Sequence, residues 1–165
     1  SQIAHPVRPG MDGKEWHTNA DEAFYMLAEL ECGAKGTVEA SKLAVGANDD
    51  FTCEIYGEKG AVRIDIMNPN WLEFYDMDDK TGDLGGERGF KRIECVGRYP
   101  APGGIFPGVK APIGWLRGHI GSMYSFLDSV SSHRKACPSF DDAAHIQRVM
   151  EAGYESDESG RFVLI

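Results

Sequence analysis

An α+β domain, with a predominantly antiparallel open sheet and helices on one face, is predicted by three observations. Short alternating strands crowd the segment from Asp21 to Ile66, a proline- and glycine-rich stretch breaks the pattern at 97–114, and two helical periodicities follow it. With 165 residues the chain can bury one core of ordinary size, so a single domain over 1–165 is expected.

Residues 1–20 hold Pro6, Pro9, Gly10 and Gly13 in a polar setting and read as an irregular opening segment. From Glu22 to Leu30 the alternation sets Phe24, Met26, Ala28 and Leu30 on one face, and Ala23, Tyr25 and Leu27 on the other. Both faces are apolar. A strand that covers a single core shows polar residues outside, so this one is expected between two apolar layers, with Tyr25 and Leu27 meeting another copy of the chain. Cys32-Gly33-Ala34 leads into a strand over Lys35 to Val45, and residues 46–50 turn the chain into Phe51 to Tyr56. Gly57-Glu-Lys-Gly60 precedes Ala61 to Ile66, and Asn68-Pro-Asn70 precedes Trp71 to Tyr75, which completes a meander of five strands. After a glycine-rich acidic loop over 80–89, Phe90 to Val96 reads as a sixth strand.

The stretch 97–114 contains Pro100, Pro102, Pro107 and Pro112 among several glycines. Proline removes donors and glycine removes restraint, so regular structure is excluded there. A loop this long inside a compact domain is functional or disordered. Leu116, Ile120, Met123, Leu127 and Val130 then recur at helical spacing and form an apolar stripe fit to lie on a sheet. Ser139 stands three residues before Asp142, a capping-box spacing that starts a second helix with the stripe Ile146, Val149, Met150 and Gly153. Gly160 ends that helix, and Phe162 to Ile165 reads as a closing strand.

Composition excludes several partners. An apolar content of 42% against 26% charged residues marks a globular chain, with no apolar run as long as a membrane span. A net charge of -9 repels a phosphate backbone, so nucleic acid is not an expected partner. Cys32, Cys53, Cys95 and Cys137 are scattered without a C-x-x-C pair, which fits reduced thiols and a cytoplasmic setting. The opening Ser1-Gln-Ile-Ala-His-Pro6 lacks an initiator Met and an apolar leader, and reads as a truncated or processed start.

Motifs for chemistry fail one after another. No G-x-G-x-x-G joins a strand to a helix, so a dinucleotide is not expected on this chain. Gly103 to Gly108 resembles the start of a phosphate loop, but Val109 stands where the lysine is needed. His5, His17, His119, His133 and His145 lack metal-ligand spacing, and no metal is expected. Asp141 and Asp142 with His145 offer a carboxylate and an imidazole one helical turn apart, though acids in a first turn are explained by the helix dipole alone.

Collinear segments nevertheless resemble one family. Asp21 to Ile66, with Glu39-Ala-Ser-Lys42 and Phe51-Thr-Cys-Glu-Ile-Tyr-Gly-Glu-Lys-Gly-Ala61, is similar to the C-terminal domain of the glucose-fructose oxidoreductase, inositol dehydrogenase and rhizopine catabolism (Gfo/Idh/MocA) family. Ile113-Gly-Trp115, Pro138 to Asp142, Ile146 to Val149 and Gly160 to Val163 continue the likeness over nearly the whole chain. The resemblance implies a dihydrodipicolinate-reductase-like domain whose open sheet face makes oligomer contacts and whose other edge closes a sugar or polyol site. It also implies NAD or NADP in the full-length protein. The family's Rossmann half, with its glycine loop and its catalytic lysine in a Glu-Lys-Pro segment, has no counterpart here, and Glu58-Lys59-Gly60 falls in a strand turn. The family's Asp and His four apart belong near the start of the C-terminal half, whereas Asp141 and His145 sit in surroundings that match the last helix. No catalytic residue is carried over.

Candidate substrate contacts are Lys42, Lys110, Trp115 and His119. Lys42 ends the second strand, where an ammonium can donate to hydroxyls or simply be solvated. Lys110, Trp115 and His119 flank the long loop, which can act as a lid. The Trp115 indole can stack on a sugar ring or seat its helix on the sheet. Two functions follow: a substrate-binding and oligomerisation domain of an NAD(P)-dependent sugar or polyol oxidoreductase, inactive alone, or a stand-alone binding or assembly module on the same sheet.

Overall fold

Every strand pair is antiparallel and joins neighbours in sequence, as short turns permit. The computed structural model describes residues 1–99, 102–106, 108 and 110–165, which fall into two compact units. One unit comprises Ser1–Ala47 with Pro138–Ile165, and the other Asn48–Cys137.

In the first unit the opening segment corrects the irregular reading of 1–20. It forms a hairpin, β1 (Val7–Pro9) with β2 (Glu15–His17), in which Arg8 opposes Trp16. Gly13 takes a φ of 77° in the turn, and the Gly10 amide donates to the Lys14 carbonyl at 2.7 Å. β3 (Ala23–Glu29) and β4 (Lys35–Ser41) follow as a second hairpin. β4 stops four residues short of the expected Val45, because the Ser41 hydroxyl accepts from the Leu43 amide and Gly46 turns the chain with a φ of 94°. α2 (Phe140–Ser159) packs beside β3: the Phe24 and Tyr154 rings meet edge to face with centroids 5.3 Å apart. Gly153 lets the two elements approach closely, since a Cβ would lie 2.6 Å from the tip of the Phe24 ring, which would have to yield.

The ends of α2 follow the sequence closely. Ser139 is the N-cap and makes a reciprocal capping box with Asp142, while Gly160 closes the helix with φ 65° and ψ 25°. The expected closing strand does not form. Residues 162–165 join no ladder, and Phe162, Leu164 and Ile165 stay exposed.

The second unit holds a four-stranded meander, β5 (Thr52–Tyr56), β6 (Gly60–Asp65), β7 (Trp71–Asp76) and β8 (Lys91–Glu94). The expected continuous meander is thus divided, for β4 pairs with β3 alone and β5 with β6 alone. Side chains alternate cleanly across this sheet. Cys53, Ile55, Val62, Ile64, Leu72, Phe74 and Ile93 share one face. On the other, Glu54 opposes Arg63, Arg63 opposes Glu73, and Glu73 opposes Arg92, an alternating charge row that favours this register. α1 (Trp115–Ser131) ends the unit, preceded by the 97–114 segment, whose described residues form turns and no helix or strand. Pro100, Ala101, Pro107 and Val109 lie outside the described residues, and with them the comparison of Val109 to a phosphate-loop lysine.

Candidate functional site

The four predicted substrate contacts divide between the units. Lys42 lies in the first, exposed one residue beyond β4, where its amide donates to the Glu22 carbonyl at 2.7 Å. Lys110, Trp115 and His119 belong to the second. Trp115 and His119 are brought together by helical spacing, one turn apart with ring centroids at 6.3 Å and planes tilted by 31°. Trp115 keeps 54% of its surface exposed, so its indole is a platform open to a ligand. Lys110 is exposed on the loop just ahead.

What shapes that loop is a residue the sequence reading passed over. Arg117, two positions after Trp115, is 7% exposed, and its guanidinium gathers four carbonyls. Nε donates to Phe106 at 2.8 Å, Nη1 to Val96 at 3.0 Å, and Nη2 to Ala111 at 3.1 Å and Gly108 at 3.3 Å. Asn70, in the turn between β6 and β7, accepts from the Ile113 amide at 2.7 Å and fixes the loop's far end. A proline-rich segment has no ladder to satisfy its carbonyls, and one planar fork with five donors supplies what a strand neighbour would. The available sequence signal was an arginine in a helix's first turn, against the macrodipole, directly after such a segment.

On the charged face of the four-stranded sheet lies an open cleft of about 210 Å³ lined by Glu54, Arg63, Asp65, Trp71, Glu73 and Arg92. Its cations are already engaged. Arg63 sits 4.0 Å over the Phe90 ring, donates to the Tyr56 hydroxyl at 3.0 Å and pairs with Glu54 at 3.6 Å. The hydrogen bond with Tyr56 is the main reason its pKa rises above the ordinary arginine value. Arg92 stacks on Trp71 at 4.9 Å. This is a surface of mutually satisfied charges.

The proposed oligomer face shows the two residues bare. Tyr25 is 55% and Leu27 71% exposed, while Phe24, Met26 and Ala28 on the opposite face are half-buried. β4 adds Thr37 and Glu39 to the Tyr25 and Leu27 face, so the patch is mixed where β3 alone reads as apolar. Among the described residues no three or more His, Cys, Asp or Glu side chains cluster as a metal site, and all four cysteines are free thiols. No described helix is long and apolar enough to cross a membrane.

A nicotinamide dinucleotide does not fit the residues present. A pyrophosphate needs free amides and a positive field at a helix N-terminus. At α2 the Ser139 hydroxyl and the Asp142 carboxylate occupy that position, and Asp141 adds a second negative charge. α1 starts at Trp115 from a segment without the glycine fingerprint. No hydride transfer is derived from this chain.

A family model described as "Oxidoreductase family, C-terminal alpha/beta domain" matches residues 4–165. Levoglucosan dehydrogenase of Pseudarthrobacter phenanthrenivorans is 24% identical over 147 residues, covering 89% of this chain and 37% of that protein. The crystal structure of an oxidoreductase domain protein from Kribbella flavida superposes with a TM-score of 0.85 at 27% identity, over 97% of this chain and 41% of that one. A levoglucosan dehydrogenase structure in complex with NADH and L-sorbose gives 0.85 at 25% identity, over 96% and 41%. The chain therefore spans about two-fifths of the length of these relatives. It belongs to the Gfo/Idh/MocA oxidoreductase family, as a C-terminal alpha/beta domain.

Proposed function

We propose that the 165 residues act as one substrate-binding and oligomerisation domain of an NAD(P)-dependent oxidoreductase that works on a sugar or polyol. The observation that carries this is collinear similarity to a sugar dehydrogenase over 89% of the chain, together with the NADH and L-sorbose held by a relative of the same fold. In this reading Trp115 offers a ring face to a pyranose or an extended polyol, and His119 and Lys110 near it supply hydroxyl partners, while Lys42 is a separate candidate hydroxyl partner in the other unit. Hydride acceptance and the catalytic lysine belong to a nucleotide-binding half, so the chain alone is inactive.

The assembly part of the proposal rests on Tyr25 and Leu27, two exposed apolar side chains in a mixed patch that a second copy would cover. The four free thiols fit a reducing cytoplasm.

The decisive experiment follows NAD(P)H formation by the full-length oxidoreductase against a panel of pyranoses and polyols. Lys42→Ala and His119→Ala are expected to raise KM more than they lower the melting temperature; unchanged kinetics with a lowered Tm would reject both as substrate contacts. Light scattering is expected to give at least twice 18.1 kDa for this chain, and Leu27→Glu to return it to the monomer. A monomer before the substitution would reject the oligomer face, and NADH-independent sugar binding by a chain with no redox partner would favour the stand-alone module.

A further inference from the structure

We infer that Arg117 is a positioning residue for substrate binding, holding the described residues 102–106, 108 and 110–113 of the loop in place beside Trp115 and His119. The inference rests on the reading that this loop and the start of α1 border the sugar or polyol.

Two features make Arg117 costly where it stands. The residue is 7% exposed, and its guanidinium has no carboxylate partner among the described residues. It also occupies the third position of α1, where the positive end of the helix dipole opposes a cation and no acidic residue in the first turn offsets it. A residue kept only to continue the helix would be neutral or acidic. The four carbonyls account for the charge: they come from Val96, Phe106, Gly108 and Ala111, spread along a segment that no ladder orders. Lysine cannot replace this, because an ammonium is a point donor and the acceptors lie around the edge of a plane.

The helix separates binding from positioning. Residues two apart point to different sides, so the Arg117 guanidinium goes into the loop while Trp115 and His119, each two positions away, share the exposed side. Lys110 lies between two of the gripped carbonyls, those of Gly108 and Ala111. Arg117 thus acts on a ligand only through the backbone that carries Lys110 and leads into Trp115. With Ile113 also held by Asn70, the described residues of the loop are preorganised on the side that leads into Trp115.

Hydrogen exchange on this chain and kinetics on the full-length oxidoreductase test the idea together. Arg117→Gln is expected to speed exchange of the amides at 103–106, 110, 111 and 113 by about tenfold or more, with the β5–β8 amides unchanged. Arg117→Lys should give an intermediate effect, and it also serves as the folded variant should Gln unfold the unit. In the full-length enzyme both should raise KM, by about tenfold for Gln, with kcat within about twofold. Arg134→Gln, an exposed arginine near the end of α1, should change neither reading. Unchanged loop exchange in the Gln and Lys variants would overturn the inference whatever the kinetics. Faster loop exchange with unchanged KM would overturn it too, and would take the loop away from the substrate while leaving the family assignment intact. A full-length protein that oxidises no sugar or polyol would sink the functional reading on which the inference stands, and the exchange result would then stand alone as a structural fact.

Discussion

β3 with α2 and the 97–114 loop with α1 are two ways of ordering a backbone, and they fail differently. In the first, strand hydrogen bonds and an aromatic contact between Phe24 and Tyr154 share the task among many small terms. In the second a single guanidinium satisfies four carbonyls, so stability is concentrated in one side chain. Distributed packing degrades gradually under mutation, whereas a hub is lost at one stroke.

The largest expected effect therefore comes from the hub. Arg117→Gln should lower stability by about 3 kcal/mol, since four part-buried carbonyls lose a charged donor together. Urea midpoints should show Arg117→Lys recovering part of that loss. An equal cost for Phe24→Ala, which removes a half-buried ring, would erase the distinction between concentrated and distributed order.

Next in size is overpacking of the helix–strand contact. Gly153→Val places branched atoms against the Phe24 ring and is expected to cost about 2 kcal/mol. Gly153→Ala should come closer to neutral, because alanine regains about 1 kcal/mol of helix propensity while the ring tip yields. Thermal melts of the pair check this, and a stabilised Val variant would show that α2 does not press on β3.

These two regions were also unequally legible in the sequence. α2 was readable from end to end because its signals are local: the Ser139 and Asp142 spacing, the apolar stripe, and Gly160. β3 to β8 were readable by alternation, to within a few residues at each end, while the short strands β1 and β2 were not. What alternation could not show is which strands pair, and so the break between β4 and β5 went unforeseen. The partners of Arg117 were hidden for the same reason, as its four acceptors are six to twenty-one residues upstream and belong to a segment with no period; only its place against the helix dipole marked it. The segment after Gly160 misled in the opposite way. Phe162 to Ile165 has strand composition, but composition cannot supply a partner strand, and none pairs with it. For the candidate site, Trp115 and His119 were found because they lie one turn apart on a helix already recognised, while Lys42 was placed by strand position alone.

A smaller effect tests a polar contact inside the apolar region. The Tyr154 hydroxyl donates to Asp21 Oδ2 at 3.0 Å, and this hydrogen bond is the main cause that lifts the phenol pKa above its ordinary 10.0. Tyr154→Phe keeps the ring against Phe24 and removes only that bond, so its drop in Tm should be smaller than that of Gly153→Val. An ultraviolet titration should show the Tyr154 phenolate appearing at lower pH in Asp21→Asn than in the wild type. An unmoved titration would mean that the hydroxyl does not use Asp21.

The smallest effect at neutral pH is expected at Glu22, a carboxylate just before β3 that holds the opening segment at Ala4, His5 and Arg8. Its oxygens accept from the Ala4 and His5 amides, both at 2.8 Å, from Arg8 Nη2 at 2.7 Å, and contact His5 Nδ1 at 3.2 Å. Partial burial of the carboxyl favours the neutral form, but the hydrogen bonds from His5 and Ala4 and the Arg8 charge prevail and hold the pKa below its ordinary 4.5. A carboxylate with a depressed folded pKa contributes stability that is complete above the unfolded value and disappears as pH falls through the folded one. The stability gap between wild type and Glu22→Gln should thus be constant from neutral pH down to about 4.5, then close on further acidification. Urea midpoints measured across that range decide it. A gap that widens in acid would mean that the ionised carboxylate is a burden, and that the hairpin is held by β1 and β2 themselves.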